Sequence, residues 1–318
     1  MDQLSSLFSL SPLFNFFFNT KPPFPHFRLP QLAYKTVIDL MTPPEQVSLS
    51  LCSQRTYSII KSVRHKPRLF ELWISGRDRI DYVTGFHAST DVFRGCRALL
   101  STLSSSPDFD PLETVMIRGH RVPAQMFTRE DGRKYLETFW DDQMFGLRMI
   151  GDHVCDLFDI DLCGLLTRKD FRNMVDWVSN RQSSIESLEI VGPGKCSDED
   201  FRHIILNCNC HDLYGNLSPS RNFWMVHFRK KFRTFSMENC HWITIDNLMT
   251  MDCVYIHASG KKFSHLAVNR FLNHWINGGS PNLKFLRFQL KRSGEVELLR
   301  GLEDYVIHGI PGFRTYST

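Results

Sequence analysis

The chain has 318 residues, 42% of them apolar and 23% charged, with a net charge of +4, which is ordinary globular usage with room for one or two domains. A basic surplus this small, spread along the chain, argues against generic phosphate-backbone binding, which needs clustered cations. Nine cysteines, an odd number often beside apolar neighbours as in Leu51-Cys52, read as buried free thiols of a reducing compartment, cytoplasmic and/or nuclear, and not as a disulfide framework.

Residues 1–23 read as a flexible leader. The apolar run Leu7 to Phe18 follows Asp2 where a signal peptide carries positive charge, and Ser9, Ser11, Pro12 and Asn15 interrupt it. No small-residue cleavage site follows, and the run is too short to cross a bilayer, so no membrane partner is expected. Pro22, Pro23, Pro25 and Pro30 then enforce an extended boundary.

Three short helical patterns come next. Pro30 suits the first turn of a helix reaching about Met41, with Ala33, Val37 and Met41 spaced by four and Ile38 and Leu40 alongside. Thr42, Pro43, Pro44 and Glu45 spell a capping box for a second helix to about Leu51. Thr56, Ile59, Ile60 and Val63 mark a third. Three helices in so few residues cannot bury all their apolar faces among themselves, so something else must cover part of that surface.

Beyond Pro67 strand and helix patterns alternate. Strands are expected at Leu69–Ile74, Ile80–Val83, Glu113–Ile117, Leu188–Val191, Phe232–Met237, Cys253–His257 and Phe285–Leu290. Helices are expected at about Val92–Leu103, Lys169–Ser179, Asp198–Asn207, Asp246–Met251 and His265–Asn277, with Ser197 and Ser264 as caps. Trp177-Val178, then Ile185-x-x-Leu188-x-Ile190, is echoed at the same spacing by Trp275-Ile276 and Leu283-x-x-Leu286-x-Phe288. That echo fits one unit of a strand–helix repeat, irregular in length and without a regular asparagine ladder. The fold class expected is α+β/α/β: three N-terminal helices over residues 24–66, then an irregular leucine-rich-repeat-like strand–helix domain over 67–318.

The segment Phe24 to Val63 resembles an F-box through Leu29-Pro30, Val37-Ile38, Ser48-Leu49-Ser50-Leu51-Cys52-Ser53 and Tyr57-x-Ile59-Ile60-Lys61. Further on, Trp242-Ile243-Thr244-Ile245-Asp246-Asn247-Leu248, Asn269-x-Phe271-Leu272-x-x-Trp275 and Gly278-Gly279-Ser280-Pro281-Asn282-Leu283 are similar to a type-2 F-box-associated domain, at about 195–290. The chain thus looks like the nematode-expanded F-box proteins with that domain, apart from its long leader. The resemblance implies a non-catalytic adaptor subunit of a ubiquitin ligase, with no cofactor. Its partners would be a Skp-type adaptor, a cullin behind it, and a protein target on the C-terminal domain. By the same resemblance Leu29 and Pro30 start the docking helix, Val37, Ile38 and Met41 lie on its apolar side, and Val47, Leu51 and Cys52 extend the face; interface and core stay open for each. Arg229, Lys230, Arg233 and Trp242 are candidate target contacts.

Rival chemistries find less support. Cys196, Cys208, Cys210 and His211 lack the paired spacing of zinc modules, so no metal is expected. Arg229-Lys230-Lys231-Phe232-Arg233 would centre a nucleic-acid module, but the run is short and leads straight into a strand. No nucleophile elbow, phosphate-binding glycine loop or metalloprotease helix is present, and Asp141-Asp142 and Asp159-x-Asp161 read as exposed loop acids. Trp73, Trp140 and Trp224 read as core residues first and target anchors second. The remaining alternative is an interaction protein that does not drive degradation.

Overall fold

The computed structural model describes residues 31–63, 70–77, 80–87, 97–103, 113–128, 134–168, 170–192, 195–226, 228–292 and 295–302. The leader, the proline cluster and the Leu29-Pro30 pair lie outside them. The chain divides into two compact units, Met1–Ile185 and Glu186–Thr318.

The first unit opens with α1 (Gln31–Leu40), α2 (Pro43–Ser50) and α3 (Gln54–Val63). The start of α2 is built as its letters suggest: the Glu45 carboxylate accepts from the Thr42 backbone N–H at 2.7 Å and from its hydroxyl at 2.8 Å. In α3 the Ser53 hydroxyl accepts from the Thr56 N–H at 3.1 Å, and Thr56, Ile60 and Val63 turn inward. There follow β1 (Phe70–Arg77), β2 (Ile80–His87), β3 (Arg97–Leu103), β4 (Glu113–Ile117), β5 (His120–Thr128), β6 (Lys134–Phe139), α4 (Gln143–Phe158), β7 (Leu162–Thr167) and α5 (Phe171–Arg181). Within this unit the strands run in the order β7-β1-β2-β3-β6-β5-β4, with parallel β1–β7 and β3–β6 pairs among antiparallel ones.

Helix α4 packs across β1, β2 and β3, while α3 lies on α4 and α2 on β3. Asp142 caps α4 by accepting from the N–H groups of Met144 and Phe145, at 2.9 and 3.0 Å. Its C-terminus closes at Asp159, in the left-handed region at φ 54°. Asp142 and Asp159 thus end a helix and are not plain loop acids. Beneath α4, Gly164 pairs with Trp73 across β7 and β1. A Cβ at Gly164 would collide with the Trp73 ring, so the glycine gives the indole its seat.

One expected element is corrected. The segment expected to be helical over Val92–Leu103 forms β3 over Arg97–Leu103, paired with β2 on one side and β6 on the other. Sheet pairing overrides the local helical spacing there. Residues 92–96 lie outside the described set.

In the second unit β8 (Ile185–Ile190), α6 (Asp198–Asn207), β9 (Cys210–Gly215), β10 (Lys231–Met237), α7 (Ile245–Thr250), β11 (Asp252–Phe263), α8 (His265–Ile276), β12 (Phe285–Leu290) and α9 (Glu295–Leu298) follow in sequence. The strands neighbour one another in chain order from β8 to β12, and β9 to β12 pair in parallel. Asp212 pairs with Thr234, Phe235 with Ile256 and Ile256 with Leu286, at separations of 22, 21 and 30 residues. Ser197 and Ser264 cap α6 and α8, accepting from Asp200 and Ala267 at 3.0 and 3.2 Å.

The turns after the strands are stitched in series. Asn216 Oδ1 accepts from the Gly192 N–H at 2.9 Å, Asn239 Nδ2 donates to the Asn216 carbonyl at 2.6 Å, and the Ser259 hydroxyl donates to the Glu238 carbonyl at 2.9 Å. A short asparagine stitch therefore exists where the sequence pattern suggested none. On the covered side of the sheet Leu213, Phe235 and Ile256 form a buried row. Phe201, Phe223 and Phe228 meet Trp242 edge-on, with ring centroids 5.3, 6.2 and 5.7 Å from it.

Candidate interaction surfaces

In the first unit α1 to α3 are sorted into an inner and an outer side. Ile38, Val47, Leu51 and Ile60 are buried, with Val47 and Ile60 at 0% exposure. Val37 and Met41 are half-buried, Cys52 is exposed, and Leu40 is 71% exposed. Ala33, Val37, Leu40 and Met41 make an apolar stripe on α1 that no described residue covers fully. Leu40 is the residue that sequence reasoning left out of the face. Its signal was there, three positions after Val37. Ile38, Val47 and Leu51 belong to the core of the unit.

The inner side is tied down by one polar contact. Ser50 Oγ lies 2.7 Å from His153 Nε2, both buried, and the Tyr57 ring lies 5.1 Å from the imidazole. Burial, and then the Arg118 cation, push the His153 pKa down to about 4, with Asp156 opposing. The imidazole is therefore neutral at pH 7. Around it Arg118 pairs with Asp156, and Arg181 bridges Asp152 at 2.8 Å and Asp156 at 3.4 Å. Trp177 Nε1 donates to Asp152 at 3.2 Å. Helices α4 and α5 are thereby locked together.

In the second unit the sheet has an open face. One row runs Thr234, Tyr255, Phe285 and the next Tyr214, Ser236, His257, Arg287, each in register across the strands. Tyr255 and Phe285 are 44% and 50% exposed, with ring centroids 6.5 Å apart. Ser236 Oγ lies 3.3 Å from His257 Nδ1. Partial burial, then Arg287, lowers the His257 pKa, with Glu238 opposing. At the β8 side Arg233 pairs with Asp212 and reaches Glu186 at 3.5 Å. Burial works against the Asp212 carboxylate, but hydrogen bonds from Arg233 and Thr234 hold it below the usual range.

The four residues proposed from sequence as target contacts do not share one fate. Trp242 is 2% exposed at the centre of its aromatic cluster, so it packs the core instead of forming a rim. Lys230 Nζ donates to the Cys208 carbonyl at 3.0 Å, Lys231 bridges Asp252 at 3.4 Å, and Arg233 is paired. Arg229 alone of the run is exposed without an ion partner among the described residues. With Lys231 and Arg233 paired to carboxylates, the run offers few free charges to a phosphate backbone. Of the other tryptophans, Trp140 is buried, Trp73 is half-buried and Trp224 is 65% exposed.

The buried cysteines, Cys155, Cys208, Cys210, Cys240 and Cys253, are packing residues. Cys155 and Cys253 are pushed up to about 12 by burial, so each is a neutral thiol at pH 7 and a poor nucleophile. Among the described residues no three His, Cys, Asp or Glu side chains converge as a metal site. No described helix is long and apolar enough to cross a membrane.

Comparison with known proteins finds one match in each unit. Residues 27–68 match the F-box domain, and residues 221–288 match the F-box associated domain. The chain thus carries an F-box domain and an F-box associated domain. It is similar to the Skn-1 dependent zygotic transcript 15 protein of the nematode Caenorhabditis elegans, 21% identical over 93% of this chain and 89% of that one. No solved structure matches it. F-box domains in general dock onto Skp-type adaptors of cullin ubiquitin ligases, and proteins that carry them are generally non-catalytic.

Proposed function

We propose that this chain is the target-recognition subunit of a Skp adaptor–cullin–F-box ubiquitin ligase, docking through α1 to α3 and holding a protein target on its second unit. The observation that carries the docking half is the apolar stripe on α1, which leaves Leu40 71% exposed inside the matched F-box. The docking set is therefore Val37, Leu40, Met41 and Cys52, to which the resemblance to F-boxes adds Leu29 and Pro30. Ile38, Val47 and Leu51 support that face from behind.

For the target half, the open sheet face supports a leucine-rich-repeat-like reading. Parallel neighbours in chain order, with near-even spacing of 22 and 21 residues before a longer 30, have the form of a stacked solenoid. Such stacks bind partners on their strand face, and Tyr255, Phe285 and Arg287 are the residue types that anchor interfaces. The mechanism is proximity: holding the target raises the effective concentration of its lysines at the ubiquitin donor, and the chemistry belongs to other subunits.

The test is co-purification of the full chain with a Skp-type adaptor, beside Val37→Asp/Leu40→Asp. Leu40 is exposed and Val37 half-buried, so the variant should stay folded and lose the adaptor. Capture by the variant at the wild-type level would remove the docking assignment. Ubiquitination of a co-purified target in the reconstituted ligase then separates degradation from simple holding.

A further inference from the structure

Strand β11 does not run evenly. Its register against β12 slips between Ala258 and Lys262, so residues 259 to 261 bulge out. Gly260 makes this turn at φ 85°, and a Cβ there would stand 2.6 Å from the Glu238 carbonyl, so only glycine fits. Just beyond the bulge, β11 ends at Phe263 and α8 begins. The Lys291 N–H donates to the Phe263 carbonyl at 3.0 Å, which brings Lys291 beside the end of β11.

A groove of about 850 Å³ opens here, lined by Lys261, Lys262, Arg270, Lys291 and Leu266, and among the described residues no carboxylate lines it. Two of the four cations are held: Lys261 Nζ donates to the Ile243 carbonyl at 2.6 Å and sits 5.6 Å above the Phe263 ring, and Arg270 pairs with Asp246. Lys262 and Lys291 are exposed, with no carboxylate partner among the described residues. Leu266 presents a side chain 65% exposed on the same groove. A cleft lined by one sign of charge concentrates its field and selects opposite charge.

We propose that this groove binds an acidic peptide segment of a protein partner, with separate Asp or Glu carboxylates on Lys262 and Lys291 and an apolar side chain on Leu266. The proposal rests on the reading that the second unit holds a protein target. Carboxylates suit the site better than phosphate. Its one guanidinium fork is taken by Asp246, and the free donors are lysine point charges on two different elements, not a bidentate clamp. Single-stranded nucleic acid fits less well, because the one aromatic ring in the lining, Phe263, is 4% exposed and offers no stacking platform.

Fluorescence anisotropy of the full chain with a labelled Asp/Glu-rich peptide carrying a central leucine tests this at low salt, with the Asn/Gln counterpart beside it. Lys262→Glu/Lys291→Glu should weaken binding about tenfold or more, and Leu266→Ala about threefold. Arg221→Glu, exposed elsewhere in the same unit, should leave it unchanged. Lys262→Met/Lys291→Met replaces the charge reversal should that variant not fold. Equal binding of the neutral counterpart, or full binding by the double variant, would overturn the proposal. Tighter binding of a phosphoserine version or of an RNA oligonucleotide through the same lysines would overturn it as well. Adaptor capture run in parallel keeps the two readings apart: a chain that captures adaptor but ignores the acidic peptide loses the groove and keeps its docking role.

Discussion

The two units use the same ingredients to opposite ends. In the first, helices cover the sheet: α4 crosses three strands, α2 and α3 close over β3 and α4, and even a histidine is sealed in. In the second, strands follow one another in parallel and one face of the sheet stays open, with Tyr255 and Phe285 standing in solvent. The echoed tryptophans show the same contrast. Trp177 is half-buried against α4 with its N–H on Asp152, whereas Trp275, in the same local pattern, is 44% exposed, and its strand β12 is nowhere fully buried. A local pattern specifies a helix–turn–strand unit; what lies against that unit decides whether it becomes core or contact surface.

The largest expected effect comes from charging the closed side. Leu51→Asp should destabilise the first unit by about 4 kcal/mol, the cost of an unpaired charge in a packed core, whereas Leu40→Asp, eleven residues away on the open side, should leave denaturant unfolding within about 0.5 kcal/mol. Equal losses from both would erase the distinction between the two sides of the F-box.

Acid gives the next effect. His153, held down to about 4, binds its proton less readily in the folded state than in the unfolded chain. Its contribution is therefore complete above pH ~6.5 and is lost as pH falls towards ~4, by roughly 3 kcal/mol at most. Unfolding free energies measured across that window should fall steeply for the wild type and more gently for His153→Gln.

Smaller again is Ser197→Ala, which removes the cap of α6 and should cost about 1 kcal/mol in thermal or denaturant unfolding. Smallest is Tyr255→Ser/Phe285→Ser on the open face, expected to cost about 0.5 kcal/mol of stability while reducing retention of co-purified target. A large loss of stability from that pair would mean the face is a core surface after all.

Legibility followed the same divide. In the second unit Ser197, Ser264 and the apolar spacings of α6 and α8 were plain, because each element contacts its chain neighbours and its local pattern goes unopposed. The first unit hid more. Helix α4 buries Met144, Gly146, Leu147, Ile150, Gly151, His153 and Val154 over about half its circumference, and the residues it does not bury are half-buried, so no narrow stripe stands out. Strand β7, Leu162 to Thr167, is buried at every position but the half-buried Cys163, so it lacks alternation. In β5, Pro123 is a residue that disfavours strands; it sits just past the end of the β5–β6 ladder, where its missing N–H breaks no bond to β6. In the F-box region sequence located the three helices, but it could not divide Ile38 from Val37, adjacent residues of which the first is buried and the second half-buried.

The buried contact between Ser50 and His153 has a mechanical consequence. It spans 103 positions of chain and fastens α2 to α4, the longest described helix of the first unit, so the F-box helices are splinted to the sheet behind them and do not swing on a leash. Whatever grips α1 also sets the bearing of that sheet, and lengthening the connection between α3 and β1 should leave that bearing unchanged.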